Sequence, residues 1–167
     1  ALGDIAFDTE DYGSAETIYN RANQLAIALQ RSSPDYESDR TPYVTHDRLG
    51  LIAVKRGDFA SASEHFEASA RLARTLSQRD PRNARLQRDI QITHLQLARV
   101  QALQGQRQQA LESLQQAMQL ASALSELDPA NLDFQADRAR AQIATALLNS
   151  QADWTERLIS LEGWQLV

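Results

Sequence analysis

Three histidines are the residues best suited by type to metal or acid–base chemistry: His46, His65 and His94. His46 and His94 stand 48 residues apart, each behind a threonine in a Thr-His pair. If such matched residues sit on stacked helices, at least one helix spacing of about 8–10 Å separates them. One ion with bonds of about 2 Å does not span that gap, so the expectation is no metal and no cofactor, with the histidines as capped or partly buried members of a core. The carboxylates Asp4, Asp8, Glu10, Asp11 and Glu16 crowd the start of the chain, but no two are singled out as a pair held about 5–9 Å apart across a cleft. Asp11 reads as a helix cap and the others as a solvated face. Arg71, Arg74, Arg79, Arg82, Arg85 and Arg88 form a local basic stretch without the interleaved aromatics that base stacking requires. They read as a solvated face, with an acidic partner as the functional alternative. No catalytic residue emerges, and the expectation is a protein that is not an enzyme.

Composition narrows the classes further. The chain has 167 residues, 43% hydrophobic and 23% charged, with a formal net charge of −5 and no cysteine. Disulfides and thiolate metal sites are excluded. An acidic balance removes the electrostatic term that dominates nucleic-acid affinity. No run of 18 apolar residues suggests a membrane span. Neither nucleic acid nor membrane is expected as a partner, and a cytoplasmic location is the weakly supported expectation. The chain opens inside a predicted helix, which implies a piece of a longer protein.

The elements that position these residues repeat. Leu49-Gly50-Leu51-Ile52-Ala53, Asp58-Phe59, Ala62, Phe66, Leu72-Ala73 and Leu76 return 47 residues earlier as Leu2-Gly3-Asp4-Ile5-Ala6, Asp11-Tyr12, Ala15, Tyr19, Leu25-Ala26 and Leu29. A shift of 48 the other way gives Leu97-Ala98, Gly105, Ala110, Leu114, Leu120-Ala121, Leu124 and Asp128-Pro129. Spacings of three and four within each unit predict helices with one small or apolar face. Asp80-Pro81 and Asp128-Pro129 predict breaks. Asn83 and Asn131 fall where N-caps are wanted, and Gly57 and Gly105 where left-handed C-caps are wanted. Glu10 replaces that glycine in the first unit, so a different turn is expected there. The predicted helices are 1–9, 12–31, 41–56, 59–79, 84–104, 107–127, 132–149 and 154–162, with Pro42 in the first turn of its helix. They group as one domain with repeats at about 1–34, 41–81, 84–129 and 132–162.

Leu2-Gly3 with Ala15, Tyr19 and Ala22, and Leu49-Gly50 with Ala62, Phe66 and Ser69, resemble the tetratricopeptide repeat. Leu97-Ala98 with Ala110, Leu114 and Ala117 departs from it by losing the glycine and the aromatic. The units also exceed the family's usual 34 residues. They are similar to the long-helix arrays of bacterial multidomain signalling proteins, which carry a segment like Leu86-Gln87-Arg88-Asp89 after Asp-Pro. HEAT or armadillo repeats are the structural alternative.

The resemblance implies an all-α solenoid of stacked antiparallel helix pairs, about three and a half repeats long. It also implies a protein- or peptide-binding scaffold that uses the concave face of its first helices. That face would carry Asp4, Phe7 and Asp8; then Asp47, Leu51, Val54 and Lys55; then Leu95, Arg99, Ala102 and Leu103. Phe7, Leu51 and Arg99 are the expected contacts. A sensor domain that binds a small ligand or peptide and controls a fused effector is the second implied class. Trp154, Leu158 and Leu161, with Trp164, Leu166 and Val167, form an apolar end. It is expected to cap the array or, through Trp154, Trp164 and Leu166, to self-associate or dock another domain.

Overall fold

The computed structural model describes residues 2–32 and 36–150, with backbone alone at 36–38. All regular structure among them is helical: α1 Leu2–Asp8, α2 Tyr12–Ser32, α3 Tyr36–Lys55, α4 Phe59–Arg79, α5 Ala84–Leu103, α6 Arg107–Leu127 and α7 Leu132–Asn149. The expected last helix, 154–162, and the residues Trp154, Trp164 and Leu166 lie outside the described residues. Contacts divide the chain at the expected repeat end into two compact units, Ala1–Asp80 and the part from Pro81 onward. Within each unit every helix packs on the next in the chain.

The hairpins recur because their turns and crossings recur. At the end of α1 the Glu10 N–H donates to Phe7 O (3.0 Å) and the Asp11 N–H to Ala6 O (2.8 Å). Gly57 and Asp58 repeat this on Val54 O and Ala53 O, and Gly105 and Gln106 on Ala102 O and Gln101 O. These are Schellman turns, whose penultimate residue must be left-handed. Gly57 and Gly105 meet that need at φ of 74° and 76°, and Glu10 meets it at 60°. The expectation of a different turn at Glu10 is therefore corrected. The closing bonds impose the geometry even where a side chain makes it costly. Replacing Glu10 with glycine should stabilise the chain by about 1 kcal/mol, read as a raised midpoint in a urea melt. An unchanged or lowered midpoint would contradict that.

The caps follow the reading. Asn83 accepts from the Leu86 N–H, Asn131 from Asp133 and Phe134, and Asp11 from Ser14; Asp58, its counterpart before α4, accepts likewise from Ser61. Gln106, at the same place before α6, makes no side-chain cap.

The start of α3 differs from expectation. The helix begins at Tyr36, so Pro42 is its seventh residue and not part of its first turn. Asp39 anchors the added turn from both sides, accepting from Gln30 Nε2 of α2 (3.1 Å) and from Arg79 of α4. These tertiary bonds outweigh the backbone bond that Pro42 cannot donate.

Where the helices of a hairpin cross, small residues admit large ones. A methyl group on Gly3 would stand 2.8 Å from Cε1 of Tyr19, and one on Gly50 would stand 2.7 Å from Cε1 of Phe66. Neither ring sits there without its glycine. At the third crossing Ala98 meets a smaller partner, since Leu114 replaces the ring, and both are buried in one core cluster with Ala110, Ala117 and Leu148. The lost glycine and the lost aromatic are one change. Ala15, Ala62 and Ala110, the small residues of the second helices, are fully buried.

Candidate functional site

In the first unit, Asp4 of α1 accepts a hydrogen bond from the Tyr19 hydroxyl of α2 (2.8 Å) and pairs with the Arg48 guanidinium of α3 (3.4 Å). Burial pushes the Asp4 carboxyl up, the Tyr19 bond and the Arg48 charge are among the influences that pull it down, and the group ends below its usual range. Burial and the same carboxylate push the Tyr19 phenol far up, so it stays a donor. Phe7 is half-buried against the cluster of Ala15, Tyr19, Leu49 and Ile52, and its ring meets Tyr12 edge-on with centroids 5.7 Å apart. Asp8 and Lys55 are exposed, while Asp47, Leu51 and Val54 are half-buried. The structure thus joins Asp4, Phe7 and Tyr19 around the α1–α2 crossing.

In the second unit the residues named for the same face separate into two kinds. Leu95 and Ala102 are core, 3% and 2% exposed, packed with Leu114, Ala141 and Ala144. Their side chains hold the hairpin together and do not face a partner. Leu103 is half-buried. Arg99 is also half-buried, its Nε is enclosed without an acceptor, and desolvation lowers its pKa. It meets no carboxylate among the described residues. A guanidinium stripped of water without a counterion is costly unless an anion reaches it.

The basic stretch divides differently from expectation. Arg71 pairs loosely with Glu67 (3.7 Å) on the surface. Arg88, however, is not part of a solvated face. Its Nε donates to Oδ2 of Asp137 at 2.6 Å, and it also reaches Asp133 at 3.4 Å. Asp137 is only 1% exposed and takes a second guanidinium, from Arg140, at 2.8 Å. The Asp137 bond, against some desolvation, holds the Arg88 pKa above its usual value. This triad fastens α5 to α7. Arg107 at the start of α6 closes the far end of α7 by donating from Nε and Nη2 to Leu148 O at 3.0 and 2.9 Å.

The histidine reading also changes. His46 of α3 and His65 of α4 meet inside one hairpin, Nδ1 to Nδ1 at 3.1 Å. The expectation of partly buried histidines holds, but it weighed only the spacing of His46 from His94 and did not set His65 against His46. The signal was present: His46 lies four residues before Gly50 and His65 immediately before Phe66. The close Gly50–Phe66 crossing brings those two turns together.

The fold defines an all-α protein of recurring helical hairpins. No protein-family model matches the chain, and no curated protein matches it.

Proposed function

We propose that the chain is a tetratricopeptide-like array whose first helices form a concave, non-catalytic surface for a protein or peptide. The Gly–aromatic crossings at Gly3–Tyr19 and Gly50–Phe66, the recurring Schellman turns and the 47–48-residue period support the architecture. No described helix is long and apolar enough to cross a membrane.

Arg99 carries the functional reading. It lies on the first helix of its hairpin, partly desolvated and with Nε unfilled. A carboxylate arriving on a partner, from an acidic side chain or a chain terminus, would complete the guanidinium with charge-assisted bonds. Within the second unit half-buried Leu103 offers apolar contact on the same helix, and within the first unit Phe7, Leu51 and Val54 do so on its first helices. Apolar anchors would supply affinity and Arg99 would set orientation.

The test is selection of peptides from a random display library on the whole chain, followed by binding measurements on the best of them. Acidic peptides should dominate. Arg99→Glu should weaken them at least tenfold, and Leu51→Asp should weaken them as well. Selected peptides without an acidic residue, or with full affinity for both variants, would refute this reading.

A further inference from the structure

The histidine pair supports a second site, independent of the peptide surface. A hydrogen bond between two neutral imidazoles needs one Nδ1 to carry a proton and the other to present a lone pair. Ring centroids 5.3 Å apart place the two nitrogens on the facing edges of their rings. Two nitrogens bound at about 2.0–2.1 Å to one ion stand about 2.9 Å apart at a right angle and about 3.4 Å apart at the tetrahedral angle. The observed 3.1 Å falls between these values. A small swing of each ring lets both lone pairs converge on a point beside the line joining them.

We propose that His46 and His65 form a two-imidazole site for a late first-row divalent cation, taking Cu2+ most tightly and Zn2+ more weakly. Imidazole suits these ions, and their order of affinity follows the general series. The backbone under the site is held by the buried Phe66 ring in its Gly50 notch, one residue from His65 and one turn from His46.

Neighbouring charge favours a cation on one side. Glu64 and Asp58 of α4 and Glu16 of α2 all act on His65. Arg71 of α4 opposes at His46 and is only loosely held by Glu67 at 3.7 Å, and Glu16 is shared with Arg56 at 2.7 Å, so the net bias toward a cation rests on Glu64 and Asp58. Burial lowers both imidazole pKa values, and the same burial costs a bound cation part of its hydration, so the geometry of the two nitrogens has to supply the affinity. Binding needs no net proton release: the one Nδ1 proton moves through solvent to Nε2 of the same ring, and the metal takes its place. No group of three His, Asp or Glu side chains with metal-ligand geometry occurs among the described residues. The remaining positions belong to water, so affinity falls below that of a three- or four-ligand structural site. The bound ion would join α3 to α4.

The experiment titrates the chelator-stripped chain with CuCl2 and with ZnCl2 at neutral pH by calorimetry. One equivalent should bind, with Cu2+ at least tenfold tighter. His46→Gln or His65→Gln should each weaken binding tenfold or more, and His94→Gln should leave it unchanged. Should a variant unfold, the unaltered chain still decides. Zn2+ should shift the imidazole nitrogen resonances of His46 and His65 together and leave His94 in place, and the Cu2+ spectrum should show two coupled nitrogens. The proposal is overturned by an absence of binding, by binding that survives loss of either histidine, or by a Zn2+ response confined to other residues.

Discussion

Asp137→Ala should destabilise the protein by about 2–3 kcal/mol, more than a surface ion pair is worth. An exposed Lys or Arg pair contributes about 0–1 kcal/mol. Breaking a fully buried pair costs about 3–5 kcal/mol, because the surviving charge is left without a partner. Here the carboxylate is 1% exposed, while the side chains of Arg88 and Arg140 are 29% and 35% exposed. Water therefore relieves part of the burden on the arginines, and the cost falls below the buried limit. Asp137→Asn keeps an acceptor of the same shape and should cost less than the alanine change. Arg140→Ala should cost least, since Arg88 still satisfies the carboxylate. Urea denaturation of the three variants gives the order directly. A loss under 1 kcal/mol for Asp137→Ala would show that the triad does not fasten α5 to α7.

Gly50→Ala should cost about 2 kcal/mol, even though alanine is the better helix former by about 1 kcal/mol. The new methyl would lie 2.7 Å from Cε1 and 2.9 Å from Cδ1 and Cζ of a ring that is 0% exposed. Such a ring has nowhere to retreat, and overpacking a filled core costs about 1–3 kcal/mol or more. The third hairpin indicates the rescue. With alanine at Ala98 it carries Leu114 and no ring, and both residues are 2% exposed. Gly50→Ala combined with Phe66→Leu should therefore lose less than the sum of the two single changes, with a coupling of about 1 kcal/mol or more. Strict additivity would mean that the glycine and the aromatic do not form one packing unit.

These two predictions rest on features that were unequally legible beforehand. The Gly50–Phe66 notch was readable because a helix crossing demands a small residue opposite a large one, and both lie at fixed offsets in a repeating pattern. Caps at Asn83, Asn131 and Asp11 were readable because a cap is a local bargain between one side chain and a few backbone N–H groups. Glu10 misled because its left-handed φ is imposed by the bonds that close the turn, not by its own preference. Pro42 misled because a proline suits a first turn, whereas Asp39, bonded to both Gln30 and Arg79, extends the helix upstream. Arg88 was assigned to solvent because its partner Asp137 lies 49 residues away in the chain. His46 and His65 required the register of one helix on the next. Arg99 was named from its helix position alone. That it meets no carboxylate among the described residues emerged only once the acidic side chains around it had been placed.

The same distinction separates the two functional readings. The imidazole pair is a complete geometry within one hairpin and stands or falls on metal binding alone. The proposed peptide surface depends on the face presented by successive first helices, where Arg99 has an Nε without a partner among the described residues.

Hydrogen–deuterium exchange of the whole chain, with and without a display-selected acidic peptide, tests that surface most directly. Added protection should fall on the first helices of the hairpins, α1, α3 and α5, and be strongest in α5 around Arg99, with α2, α4 and α6 unchanged. Protection centred on α4 or α6, with α5 unaffected, would contradict the proposal that the first helices carry the contact.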